Sequence, residues 1–211
     1  VAMTMYLFYE INYQVTLTIL LAAVLIAFTF GFFSYRTRTA DMSGLFSGAL
    51  VGTILIVFTQ DIRWFLIMLT FFILGSAATR YKFDYKSSLG VAESHRGVRG
   101  YHNVFANGMV AVAAAVLYGI SGHPMFIALF MGSVATAAAD TVAGEIGMTA
   151  SNPVLITTLE RVPKGTNGGV TLVGTLAALG ASVIVVATGF LMGVIDLPMM
   201  LVCGAAGFLG T

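Results

Sequence analysis

The sequence predicts an all-α fold, a polytopic transmembrane helix bundle of about seven spans with its N-terminus outside. Three observations carry that expectation. First, 58% of the 211 residues are hydrophobic, 9% are charged, and the mean hydropathy is +0.95. Soluble domains carry about 25% charged residues. A soluble fold of this size could not cover its surface with so few, and lipid can be the missing solvent. Second, Leu, Ile, Val, Phe and Ala fall in long runs. They do not alternate in short strands, which argues against an outer-membrane barrel. Third, the cations are unevenly distributed between alternate loops.

Taken in order, the apolar runs predict spans at 13–33, 44–60, 62–80, 101–120, 123–141, 169–195 and 197–211. The run at 169–195 is longer than a span needs, so its start is expected to be loop. Glu10 precedes the first span, with no Lys or Arg before it, which is the wrong flank for a signal peptide. If the N-terminus is outside, the inner loops hold Arg36, Arg38, Arg80, Lys82, Lys86, Arg96, Arg99, Arg161 and Lys164, nine of the ten Lys and Arg. Only Arg63 falls outside, and the positive-inside rule selects this orientation. Residues 1–211 are expected to form a single transmembrane domain. Because Gly207-Phe208-Leu209-Gly210-Thr211 lies in an apolar run, the C-terminus is expected to be truncated.

Within the spans, Gly44, Gly48 and Gly52 recur every four residues and offer a close-packing face. Val51-Gly52-Thr53 echoes Val173-Gly174-Thr175, too short a match to establish a repeat. The net charge of +1 gives no footprint for nucleic acid. The single Cys203 excludes an internal disulfide or a cysteine metal cluster.

Three polar clusters are expected at the inner helix ends. The first is Ser94-His95-Arg96-Gly97-Val98-Arg99-Gly100-Tyr101-His102-Asn103, running on to Asn107. Guanidinium groups at Arg96 and Arg99 suit a phosphate, or equally an anchor at the membrane surface. Asn103 and Asn107 lie one turn apart on one face, where they would pair between helices or orient a ligand. The second is Asp140-Thr141-Val142-Ala143-Gly144-Glu145. Carboxylates at Asp140 and Glu145 could hold Mg²⁺ together with substrate phosphates, or pair with an Arg or Lys from another loop. The third runs from Thr157 and Thr158 through Glu160-Arg161-Val162-Pro163 to Lys164-Gly165-Thr166-Asn167-Gly168-Gly169. Glycines let backbone N–H groups approach anionic oxygens, Lys164 adds charge, and a helix start favours anions. It is not a Walker A sequence, because the Lys precedes the glycines. Metal, cation and Gly-rich loop together are the parts of phosphoryl transfer. There is no HExxH and no Ser-His-Asp arrangement.

The runs Asn103-Val104-Phe105-Ala106-Asn107-Gly108, Ala139-Asp140-Thr141-Val142-Ala143-Gly144-Glu145-Ile146-Gly147, Ile156-Thr157-Thr158 and Lys164-Gly165-Thr166-Asn167-Gly168-Gly169-Val170 resemble the integral membrane family that contains plant phytyl phosphate kinase and transmembrane protein 19. More distantly, they look like CTP-dependent polyprenol kinases and phosphatidate cytidylyltransferases. The resemblance covers nearly the whole chain. It implies a Mg²⁺-dependent kinase that phosphorylates an isoprenyl monophosphate to its diphosphate with a nucleoside triphosphate, CTP first among them. On that basis Asp140, Arg96, Arg99, Asn103 and Asn107 are the catalytic candidates. Asp140 and Glu145 are the metal candidates. Thr157, Thr158, Lys164, Gly165, Thr166, Asn167, Gly168 and Gly169 are the nucleotide candidates. The partners expected are the lipid phosphate and the bilayer, with homo-oligomerisation left open. The location expected is the cell membrane with the site facing the cytoplasm. A transporter of a small anion or lipid phosphate is the rival reading, and CDP-lipid synthesis a third that would share the site.

Overall fold

The structure is a computed structural model, and it describes residues 15–93 and 97–211. Its elements run α1 (Leu17–Arg36), α2 (Met42–Thr59), α3 (Ile62–Arg80), α4 (Phe83–Ser88), α5 (Tyr101–Ser121), α6 (Met125–Gly147), β1 (Val154–Leu155), β2 (Gly169–Val170), α7 (Leu172–Leu191) and α8 (Leu197–Leu209). Six of these helices are long and apolar enough to cross a membrane, and α8 is a shorter apolar helix. The expected all-α polytopic bundle is therefore the observed fold. Residues 13 and 14 of the first expected span lie outside the described residues, as do Glu10 and Arg96.

Helix boundaries follow capping chemistry. The Thr16 side chain accepts from the Ile19 N–H, Asp41 from Gly44, Thr171 from Gly174 and Asp196 from Met199. Each side chain satisfies a backbone donor that the first helical turn leaves without a partner. Gly122, at φ +65°, ends α5 and turns the chain towards α6. The loop expected before the sixth span is present, because β2 and the cap at Thr171 precede α7. The fifth span differs from expectation. It was expected to end at 141, but α6 continues to Gly147 and carries both Asp140 and Glu145 as helical residues.

Packing divides the chain into two compact units. One takes residues up to Leu66 with Arg99–Phe130, and the other takes Ile67–Val98 with Met131–Thr211. In the first, Ala23, Ile56, Val57 and Phe65 form a buried cluster. Gly52 admits the Phe65 ring and Ala27 so closely that a Cβ would meet both within 3 Å. Gly44 sits against the backbone carbonyl of Arg99, whereas a Cβ on Gly48 would meet nothing within 4 Å. The glycine stripe is thus a packing device at two of its three positions. Trp64 packs in tilted contacts against Tyr118 and Phe130, at centroid distances of 4.9 and 4.5 Å. In the second unit, Gly207 approaches Ala135 and Ser182, Gly189 receives Met131, and Gly174 lies against Gly147. The Val-Gly-Thr echo does not survive as structure. Gly52 is in the middle of α2 and Gly174 in the first turn of α7.

Candidate functional site

Arg99, Asn103 and Asn107 belong to the first unit. Arg99 lies just before α5 and runs beside the residues that precede α2. Its N–H donates to the Thr39 carbonyl at 3.0 Å, and its own carbonyl accepts from the Asp41 N–H at 3.1 Å. The Arg99 side chain is buried. Next to it the Tyr101 N–H donates to the Ser43 hydroxyl at 3.0 Å, and that hydroxyl donates to Asp41 at 2.7 Å. These bonds fasten the starts of α2 and α5 together. Asn107 donates from Nδ2 to the backbone carbonyl of Asn103 at 2.9 Å. That amide is therefore engaged within its own helix. Both asparagines are half-buried.

The second unit holds Asp140, Glu145 and the Gly-rich loop. Asp140 and Glu145 are both on α6, and five residues of α-helix turn roughly 500°, leaving the two side chains about 140° apart. They leave the helix on different faces. Asp140 is exposed, and its carboxylate makes no hydrogen bond or ion pair among the described residues. Glu145 is buried and forms an ion pair with Lys86, Nζ to Oε2 at 2.5 Å. The Lys86 side chain is 0% exposed. It also donates to the carbonyls of Ala78 at 3.2 Å and Thr79 at 2.8 Å, in the last turn of α3. A buried ammonium is tolerable only with its donors used and its charge balanced, and here both conditions are met. Of the two partners expected for Glu145, a metal shared with Asp140 or a cation from another loop, the structure supplies the cation.

The fit of a magnesium ion can be tested on these positions. Mg²⁺ takes six oxygen ligands and is commonly held by one or two carboxylates plus substrate phosphates. Among the described residues no three His, Cys, Asp or Glu side chains gather at one point. Asp140 fits the one-carboxylate mode, since it is exposed and uncommitted. Glu145 does not fit an ion shared with Asp140, because of the helical phase and its bond to Lys86.

The Gly-rich loop is a compact knot. Strand β1 pairs antiparallel with β2, Val154 opposite Val170 and Leu155 opposite Gly169. Between them the chain turns twice. The Thr166 N–H and hydroxyl both bond to the Pro163 carbonyl, and the Gly169 N–H bonds to the Thr166 carbonyl at 3.0 Å. Gly165 and Gly168 have φ of +82° and +75°, a region that L side chains rarely adopt. Among the described residues, the N–H groups of Gly165, Asn167 and Gly168 donate to no protein acceptor. Thr157 and Thr158 are exposed, and the Thr158 hydroxyl accepts weakly from the Glu160 N–H at 3.4 Å. Lys164 is half-buried, and its Nζ donates to the Tyr85 hydroxyl at 2.8 Å.

Two residues of α4 therefore reach the candidate residues without having been singled out in the sequence. Lys86 neutralises Glu145, and Tyr85 holds Lys164. In the sequence Lys86 read only as one more loop cation. The available signal was its complement, because a carboxylate at the end of an apolar helix demands a charge partner. No such signal marked Tyr85.

Comparison with known proteins places these residues in a family. The chain is 34% identical over 200 residues to the uncharacterized membrane protein MJ0933 of Methanocaldococcus jannaschii, covering 94% of this chain and 81% of that one. It is 35% identical over 167 residues to Protein VTE6, chloroplastic, of Arabidopsis thaliana, covering 76% of this chain and 50% of that one. It is 33% identical over 189 residues to Protein PGR of the same plant, covering 82% of this chain and 65% of that one. No solved structure matches the chain. The family described as integral membrane protein DUF92 matches residues 25–211, and the chain belongs to it.

Proposed function

We propose that the protein is a membrane-embedded isoprenyl-phosphate kinase, acting on a phytyl- or geranylgeranyl-type monophosphate with CTP as phosphoryl donor. The observation that carries the reading is the Gly-rich loop. A half-buried lysine and three backbone N–H groups that donate to no protein acceptor among the described residues fall within positions 164–168, in the loop that leads through β2 to α7. Oriented N–H groups and a helix N-terminus favour a multiply charged anion, and Lys164 supplies a full positive charge. The kinase assignment and the lipid-phosphate substrate rest on the family resemblance of the same residues.

The residues assigned to the reaction are those of the second unit. Lys164 and the N–H groups of Gly165, Asn167 and Gly168 bind the triphosphate. A magnesium ion held by Asp140 and phosphate oxygens would neutralise charge on the donor. An oxygen of the lipid monophosphate attacks the γ-phosphorus as the bond from that phosphorus to the β–γ bridging oxygen breaks, and CDP leaves with the electron pair. The acceptor is already an oxyanion, so no residue need remove a proton. Catalysis is then mainly positioning and charge stabilisation. The isoprenyl tail lies in the apolar phase, and the uneven cation distribution supports a site on the cytoplasmic side.

The test uses purified protein, Mg²⁺, and geranylgeranyl or phytyl monophosphate. CTP labelled at the γ-phosphorus should pass its label to the lipid, and CTP labelled at the α-phosphorus should not. Transfer of the α label instead would make the protein a cytidylyltransferase. No transfer from CTP or ATP, with uptake of lipid phosphate or a small anion by proteoliposomes, would replace the kinase with a transporter.

A further inference from the structure

We propose that Tyr85 is a positioning residue for Lys164, one that pre-orders the loop cation for a polyphosphate. The proposal rests on the reading of the Gly-rich loop as an anion site and deepens it. Lysine is a flexible side chain, and fixing it costs rotamer entropy. An isolated lysine in a glycine-rich turn would pay that cost when its ligand binds. Here the cost is met in advance. The Tyr85 hydroxyl accepts one of the three ammonium protons of Lys164 at 2.8 Å and leaves two for phosphate oxygens. The ammonium stands 5.1 Å from the centroid of the same ring.

Tyr85 can do this because its own helix is anchored. Helix α4 has six residues, too few to be stable by themselves. Its next residue, Lys86, is buried, bonded to Glu145 and to two carbonyls of α3. Adjacent side chains on a helix point about 100° apart. One of the pair can therefore be driven inward as an anchor while the other stays exposed at the loop. A second contact locks the same two segments. Val91, three residues beyond α4, lies so close to Gly165 that a Cβ there would meet its side chain. The segment 85–91 thus touches the loop on both Lys164 and Gly165.

The experiment is a double-mutant cycle on binding. The detergent-solubilised full chain is titrated calorimetrically with CTP and, separately, with inorganic tripolyphosphate. Tyr85 is exposed, so Tyr85→Phe should fold normally. It should weaken both probes roughly fivefold, the scale of one hydrogen bond. In a Lys164→Met background, itself weakened by on the order of tenfold or more, Tyr85→Phe should change nothing further. The same loss in both backgrounds would mean that Tyr85 acts independently of Lys164. Unchanged or tighter binding in Tyr85→Phe, with Lys164→Met still weakened, would overturn the positioning role alone. Wild-type protein that binds neither probe, or Lys164→Met that binds as wild type does, would overturn the anion-site reading and this proposal with it.

Discussion

The residues around Arg99 and the Gly-rich loop use polar groups in opposite ways. At the first, polar groups are spent on the protein itself. Asp41 caps α2, Ser43 bonds to Asp41 and Tyr101, and the Arg99 backbone bonds to Thr39 and Asp41. At the second, the turns are closed by Pro163 and Thr166, while three N–H groups and the lysine ammonium still have donors to offer. The two acids of α6 repeat the contrast within one helix. Glu145 is consumed by Lys86, and Asp140 is left exposed. In a chain with so few charges, a polar residue that fastens the fold and one that presents itself to a ligand look alike in sequence. Their hydrogen-bond partners separate them.

The sharpest way to break this contrast is at the two acids. Glu145→Gln leaves the buried Lys86 ammonium without a counter-charge, and the expected destabilisation is about 3–5 kcal/mol. The loss should appear as a collapsed monodisperse fraction in detergent gel filtration. Replacing both partners, Lys86→Met with Glu145→Met, should recover most of it, because the desolvation cost of both charges is removed. Asp140→Asn is the opposite case. It should leave gel filtration unchanged and lower phosphoryl transfer by at least about 10²-fold, the scale of one major electrostatic contribution. Near-normal turnover in that variant would remove Asp140 from the proposed mechanism.

Smaller effects sharpen the comparison within the glycine stripe. Gly44→Ala drives a methyl group against the Arg99 carbonyl, and a backbone atom cannot swing aside as a side-chain tip can. The expected cost is about 1–3 kcal/mol, read as a lower thermal midpoint in detergent. Gly48→Ala meets open space and should raise that midpoint slightly, by the roughly 0.5–1 kcal/mol that alanine gains over glycine in a helix. Equal effects at the two positions would show that the stripe packs differently from the structure.

Much of the architecture was legible without coordinates. A bilayer demands long apolar segments with internally satisfied backbones, so composition and run length alone determine an all-α polytopic protein. Apart from the end of the fifth, the expected spans fall on the observed helices within a few residues, as with 62–80 and Ile62–Arg80. The three polar clusters were also visible, because a polar residue beside an apolar run stands out. The sequence did not reveal which members of a cluster face one another. Asp140 and Glu145 looked like a metal pair because spacing was read without the phase of a helix that continues to Gly147. Lys86 lies 59 residues from Glu145, and Tyr85 lies 79 from Lys164. Such partners are chosen when distant segments fold against each other. The sequence alone determined that this chain lives in lipid and where its polar groups lie along it. Only the tertiary structure decided which charges cancel internally and which do not, because burial and hydrogen-bond geometry depend on distances that chain spacing does not encode.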